Sequence, residues 1–190
     1  GIHLVKSLGC HGCHKIRGYE DARKVGPDLR KVAGKLDRRW MINWVREPKA
    51  FRATTKMPAI FDLPNVRSQS DMARNTAAVQ SMVTYLSEKS ECETYPDPPV
   101  EGDPDRGQDL VGKVGCRACH AVGAGDDVRQ EHGWRNYGPH LNGIGSKVQA
   151  GWLYAWLKDP KQYSPDALMP DLRLTDQEAA DLTAYLMTLS

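Results

Sequence analysis

A five-residue pattern of two cysteines and one histidine occurs twice, and it limits what this chain can fold into more than any other feature. The pattern reads CHGCH at residues 10–14 and CRACH at residues 116–120. Cysteines three residues apart lie on neighbouring faces of one helical turn, so both thiols can bond to the same group. The histidine that follows at once brings an imidazole to the same place.

This spacing is typical of covalent haem attachment, in which both thiols add to one porphyrin and the histidine becomes an iron ligand. The residues concerned are Cys10, Cys13 and His14 in the first motif, and Cys116, Cys119 and His120 in the second. A four-thiolate zinc site would have to join pairs more than a hundred residues apart. A thioredoxin-like redox pair would need a βαβ pattern, and none is visible. The leftover Cys92 is interpreted as an unmodified thiol.

The chain is an internal duplication. Beyond the motifs, the copies share a Gly-Pro pair, two tryptophans four residues apart and a Met-Pro pair. The aligned residues are Pro27 with Pro139, Trp40 with Trp152, Trp44 with Trp156, and Met57 with Met169. The second copy has six extra residues in its first loop, and the first has twelve extra after its methionine. A proline-rich acidic stretch predicts a linker over 96–105, between domains at 1–95 and 106–190.

Apolar residues recur at helical spacing, and no run alternates as a strand would. Each copy has a first helix that leads into the cysteine motif, a central helix and a last helix. The predicted ranges are 1–8, 37–46 and 70–86 in the first copy, and 107–114, 149–158 and a helix after Thr175 in the second. Glu178, three residues after Thr175, predicts a capping box there. With only two phenylalanines, each small core needs another apolar body. The fold class is therefore all-α, with two tandem helical domains, each wrapped around one covalent haem.

Each copy resembles a small class I bacterial cytochrome c, and the pair is similar to a dihaem c-type cytochrome. The resemblance rests on C-x-x-C-H late in the first helix, Gly-Pro in the next loop and Met-Pro before the last helix. It implies that Met57 and Met169 are the sixth iron ligands, a role that suits a soft thioether. It also implies that a proline carbonyl accepts a hydrogen bond from each iron-binding imidazole. The pairs so joined are Pro27 with His14, and Pro139 with His120.

Two groups of side chains have more than one interpretation. The tryptophans at 40, 44, 152 and 156 either wall the haem, with an indole N–H reaching a propionate, or only pack in the core. Histidine competes with methionine for the sixth iron position. Four histidines do not follow a cysteine pair in a motif. They have no counterpart in the repeat and are interpreted as loop or surface residues: His3, His11, His132 and His140.

The resemblance implies electron transfer between redox partners, with both irons six-coordinate and no catalysis. Net charge is +7 through Tyr95 and −5 from Pro96 onward. We expect the basic half to dock an acidic redox protein transiently, guided by charge, rather than a nucleic acid. Attraction between the two halves is the alternative. Two further hypotheses stay open: a dihaem enzyme, peroxidase-like or acting on a small molecule, with one labile axial site, and an electron-wire module of a larger respiratory complex.

The expected location follows from the expected cofactor. Haem is normally attached covalently outside the cytoplasmic membrane, so we expect a periplasmic or otherwise exported protein. The sequence contains no signal peptide and no membrane span. One interpretation is a leader, an anchor or further domains before Gly1; a trimmed mature start is the other.

Overall fold

The chain divides into two helical units, Gly1–Glu93 and Thr94–Ser190. A computed structural model describes residues 1–19, 26–52, 55–65, 68–91, 94–123 and 138–190. Within those ranges the regular structure is helical and contains no β-strand, which confirms the all-α fold class. No helix in the described part of the chain has the length and apolar character needed to cross a membrane.

The first unit has three principal helices and two single-turn helices. They are α1 (Ile2–Ser7), α2 (Val32–Lys35), α3 (Arg38–Arg46), α4 (Pro48–Phe51) and α5 (Gln69–Glu88). The side chain of Asp37 accepts a hydrogen bond from the Trp40 backbone N–H and so begins α3. Ser68 and Asp71 form a reciprocal capping box that begins α5.

The second unit repeats this order. It contains α6 (Pro104–Lys113), α7 (Ile144–Lys147), α8 (Ala150–Lys158), α9 (Pro160–Tyr163) and α10 (Asp176–Thr188). The predicted capping box of Thr175 and Glu178 is present at the start of α10. Proline is the first residue of both α6 and α9, a position where its missing N–H costs no helical hydrogen bond.

In each unit the first helix packs against the last through a glycine. A Cβ atom at Gly107 would collide with the Asp181 carbonyl and the Tyr185 Cβ, so only glycine lets α6 approach α10 this closely. Gly1 stands in the same relation to the Tyr85 Cβ and the Ser81 carbonyl of α5. Gly1 and Gly107 occupy the same position in the repeat, since each lies nine residues before the first cysteine of its motif.

Each unit has its own core of buried apolar residues. In the first unit two clusters of buried residues form around α3 and α5, one centred on Trp40, Met41 and Val83 and the other on Phe61, Val79 and Met82. In the second unit apolar side chains of α6, α8 and α10 are buried, including Val111, Leu153, Leu157, Leu182 and Leu186.

The segment interpreted as a linker, 96–105, lies wholly in the second unit. Its last two residues begin α6, because the Asp103 side chain caps the helix and Pro104 follows. The helix predicted over 107–114 therefore begins three residues earlier. Ahead of it, Gly102 lies against the Ala180 carbonyl, and the carbonyls of Tyr95 and Pro96 lie against Gly151. The helices predicted over 37–46 and 149–158 are confirmed as α3 and α8, each preceded by its N-cap residue.

Candidate functional site

Each cysteine motif lies in a short turn of its own, after the first helix has ended. A 3₁₀ turn covers Cys10–Gly12 in the first unit and Cys116–Ala118 in the second. Gly9 and Gly115 precede these turns in the left-handed conformation, with φ of 73° and 89°. The expectation that the motif lies late in the first helix was therefore wrong, because a left-handed glycine ends that helix before the first cysteine.

A backbone hydrogen bond closes the turn of each motif. The His14 backbone N–H donates to the Cys10 carbonyl at 3.0 Å, and His120 donates to Cys116 at the same distance. None of the four motif cysteines is in a disulfide. Burial raises the pKa of the Cys10 and Cys116 thiols. Cys92 lies outside the described residues.

A proline carbonyl orients each motif imidazole. The Nδ1 atom of His14 lies 2.8 Å from the Pro27 oxygen, and that of His120 lies 2.6 Å from the Pro139 oxygen. A carbonyl oxygen only accepts, so Nδ1 must carry the proton, and the lone pair is on Nε2. In both units Nε2 is thus the nitrogen left to coordinate a metal.

Backbone hydrogen bonds join the Gly-Pro loop to the residues at the end of the motif. Gly26 N–H donates to the Cys13 carbonyl, and Leu29 N–H donates to Lys15; the second unit has the same two bonds, from Gly138 to Cys119 and from Leu141 to Ala121. A Cβ at Gly26 or Gly138 would collide with the imidazole ring. Glycine at this position is therefore required for the proline carbonyl to reach the histidine, a role that the sequence analysis missed.

The two candidate methionine ligands share one contact. Trp44 Nε1 lies 3.0 Å from Met57 Sδ, and Trp156 Nε1 lies 2.9 Å from Met169 Sδ. The indole N–H is a donor and the thioether sulfur a weak acceptor, so each contact is an N–H···S hydrogen bond. The sequence analysis considered a propionate as the partner of the indole; in this structure the partner is the methionine sulfur.

The tryptophans of each unit stack as a pair. The ring centroids of Trp40 and Trp44 are 5.0 Å apart, and those of Trp152 and Trp156 are 5.3 Å apart. A third ring packs edge-on or tilted against each pair: Phe51 in the first unit and Tyr163 in the second. These two residues also align in the repeat, so the alignment could have identified them.

The remaining histidines have no counterpart in the other copy of the repeat. His140 is half-buried where the first unit has Asp28, and His3 is exposed. His132 lies outside the described residues. No group of three or more His, Cys, Asp or Glu residues able to hold a metal ion is found in the part of the chain that the structure describes.

The donors present in each unit fit one particular group. Two cysteines outside any disulfide, an imidazole with its Nδ1 already bonded and a thioether hydrogen-bonded to an indole fit the donor set of haem c. The same set is present in the second unit. A helical unit with these donors has the features of a c-type cytochrome.

Comparison with protein families supports this class. The family model described as cytochrome c matches residues 104–190, which include the second motif and Met169. No curated protein matches the chain significantly. The match supports a c-type cytochrome with covalently bound haem c and a general role in electron transfer.

Proposed function

We propose that the protein is a dihaem electron carrier in which each unit holds one haem c. The observation that supports the count of two is the repetition of one donor arrangement. Each unit has two thiols, an imidazole bonded to a proline carbonyl and a methionine sulfur bonded to an indole. The family match covers the second unit only, so the first haem rests on this repetition.

The proposed roles follow from the chemistry of each side chain. In the first unit Cys10 and Cys13 would form the thioether links, and His14 Nε2 and Met57 Sδ would be the iron ligands. The corresponding residues of the second unit are Cys116, Cys119, His120 and Met169. Haem c, when bound, supplies a one-electron change between ferric and ferrous iron.

The protein's part is to hold the ligands and tune their donor strength. The proline carbonyl fixes the imidazole tautomer and makes Nε2 a stronger donor. The neutral, soft thioether favours ferrous iron and raises the reduction potential. An imidazole and a thioether in each unit would supply the protein ligands of its iron and would leave no position for a substrate, and this is why we propose a carrier.

We further propose that the carrier works outside the cytoplasm, where haem is attached, between transient redox partners. The basic first unit would meet an acidic partner protein, since electron-transfer encounters are small and charge sets their rate. Rates of electron transfer to acidic and basic partner proteins should then diverge at low ionic strength and converge as salt is added.

The haem count is the first test. The chain is produced in a periplasm with c-type maturation, and intact mass and haem absorbance are measured. We expect two haems in the wild type, and one in each of the double variants Cys10→Ser/Cys13→Ser and Cys116→Ser/Cys119→Ser. A wild type with a single haem that only the second double variant removes would overturn the dihaem proposal.

The methionine ligands are tested by absorption spectroscopy of the ferric protein. Met57→Ala and Met169→Ala should each remove about half of the methionine–iron charge-transfer band. Met72→Ala is the matched control, because this methionine is 54% exposed on α5 and should leave the band intact. A high-spin iron in the wild type, or rapid turnover of hydrogen peroxide, would contradict the carrier and favour a dihaem enzyme.

A further inference from the structure

In the second unit a proline-rich segment without helical structure covers one face of the last helix. This covering segment, residues 95–103, leads directly into α6. A Cβ atom at Gly102 would collide with the Ala180 carbonyl and crowd the Ala184 methyl group. The covering segment is therefore in close contact with α10.

Two hydrogen bonds also join the covering segment to α10. The Gln177 side chain donates to the Glu101 carbonyl at 2.9 Å, and the Asp103 backbone N–H donates to the Asp181 carboxylate at 2.7 Å. The four contact residues of α10 follow the spacing i, i+3, i+4 and i+7 and so share one face of the helix: Gln177, Ala180, Asp181 and Ala184.

In the first unit the same face of the last helix forms an open groove. When the last helices are aligned through Tyr85 and Tyr185, the counterparts of the four contact residues are Ala77, Gln80, Ser81 and Thr84. All four line one groove on α5, together with Gly1 at the start of α1. The positions that hold the covering segment in the second unit therefore form an accessible groove in the first.

The groove of the first unit is polar, and two cations lie beside it. Gln80 and Thr84 stand where the second unit has alanine. Arg38 donates to the Thr84 hydroxyl at 2.7 Å, which places a guanidinium beside the groove. Lys89 and Glu88 line the groove at the C-terminal end of α5. The two cations exceed the one carboxylate, in a half of the chain whose net charge is +7.

The covering segment indicates which chemistry this helix face accepts. Its nine residues include three prolines, three carboxylates and no cation. The carboxylates belong to Asp97, Glu101 and Asp103. A segment of this kind is complementary in charge to the groove of the first unit, and prolines reduce the conformational entropy that such a segment loses on binding.

We propose that the α5 groove of the first unit binds an extended, proline-containing acidic segment of a partner protein. The inference names the part of the acidic redox partner that binds, and in that respect it rests on the proposed function. The segment would lie along α5 as residues 95–103 lie along α10. A second copy of the chain is a poorer occupant, because its own acidic segment is already held on α10 by the contacts described above.

The test measures the binding of a synthetic peptide to the full-length holoprotein. The peptide has the sequence of residues 96–103, and titration calorimetry measures its affinity. We expect saturable binding of one peptide per chain, with an affinity that falls as salt is added. A control peptide with lysine in place of its three acidic residues should not bind.

Two matched variants locate the binding site. Ala77→Glu places a carboxylate inside the groove and should weaken peptide binding by about tenfold or more, because like charges would then face each other. Ala73→Glu makes the same change one helical turn earlier on α5, outside the groove, and should bind the peptide as the wild type does. Both alanines are exposed, so neither variant should disturb the fold.

The outcomes distinguish this inference from the function on which it rests. A holoprotein that carries both haems and does not bind the peptide, or that binds it equally well with Ala77→Glu, would overturn the groove site and leave the electron carrier intact. Peptide binding by a chain that carries no haem would support the groove site and overturn the carrier. If sedimentation finds a wild-type dimer that Ala77→Glu abolishes, the occupant is a second copy, and the assignment to a partner protein is overturned.

Discussion

The two units hold their candidate ligands alike, but they stabilise the crossing of the first and last helices differently. In the second unit Asp181 is buried on α10, where Arg106 donates to both of its carboxylate oxygens at 2.8 and 2.9 Å. Asp103 N–H and the Gln177 amide donate to it as well. The aligned residue of the first unit is Ser81, whose hydroxyl donates to the Ala77 carbonyl of its own helix.

The contacts that the two units share differ in kind from those that they do not share. The imidazole–proline and indole–sulfur bonds are present in both units, and each involves a proposed iron ligand. The buried carboxylate of Asp181 involves no proposed iron ligand, and among the described residues it is the second unit that has it. The contacts that act on the proposed ligands are thus the ones that the duplication retains, and the polar contacts of the helix crossing have diverged.

The largest effect on stability is expected where the helices approach most closely. Gly107→Ala places a Cβ against the Asp181 carbonyl and should destabilise the second unit by about 3 kcal/mol. Gly112→Ala, on the same helix with nothing near the new methyl group, should be neutral or stabilise by up to about 1 kcal/mol. Chemical denaturation measures both. Equal effects of the two substitutions would show that the crossing tolerates a wider helix spacing.

The buried carboxylate should give the next largest effect and a dependence on pH. The hydrogen bonds from Arg106 hold the pKa of Asp181 well below its usual range. Its ionised form therefore stabilises the folded state above the ordinary pKa of about 4, and this stability is lost as pH falls below that value. Asp181→Asn should cost about 1–3 kcal/mol at neutral pH.

The aligned serine sharpens this prediction. Ser81→Ala should change stability by less than about 0.5 kcal/mol at every pH, because the hydroxyl bonds only within its helix. Melting temperatures between pH 2 and 7 would compare the variants, and Asp181→Asn should flatten the acid side of the curve. A curve for Asp181→Asn parallel to that of the wild type would mean that other carboxylates govern the acid response.

The smallest effect is one that the two units should share. Ser68 and Thr175 each begin the last helix of their unit with a reciprocal capping box. Ser68→Ala and Thr175→Ala should each cost about 1 kcal/mol, despite the different lengths of α5 and α10. Ser81→Ala, in the interior of α5, is a control for the loss of a hydroxyl outside the cap. A cost confined to one unit would show that the other helix end is held by packing alone.

Local sequence signals predicted most of the helical framework. Periodicity and capping residues gave α3, α8 and the start of α10, since these features depend on neighbours in sequence. The left-handed Gly9 and Gly115, which end the first helices, were signals of the same kind that we did not use. The C-x-x-C-H motifs and the resemblance to cytochrome c supplied the candidate ligands, and comparison of the two copies supported them.

The remaining features depend on contacts distant in sequence. The partner of the Trp44 N–H is a sulfur in a loop thirteen residues away, and no local pattern distinguishes it from another acceptor. Asp181 lies between apolar residues of α10, and its burial depends on where α6 crosses. The role of Gly26 depends on the fold of the loop against His14.

The backbone hydrogen bonds beside each proline determine where residues can be inserted without moving the motif histidine. The Gly-Pro segment is hydrogen-bonded through its backbone to residues 13 and 15 in the first unit and to residues 119 and 121 in the second. The loop between the motif and the Gly-Pro segment is six residues longer in the second copy. The hydrogen bond between the imidazole and the proline carbonyl is nevertheless present in both units. A peptide tag or a reporter inserted into that stretch should therefore leave the histidine where it is.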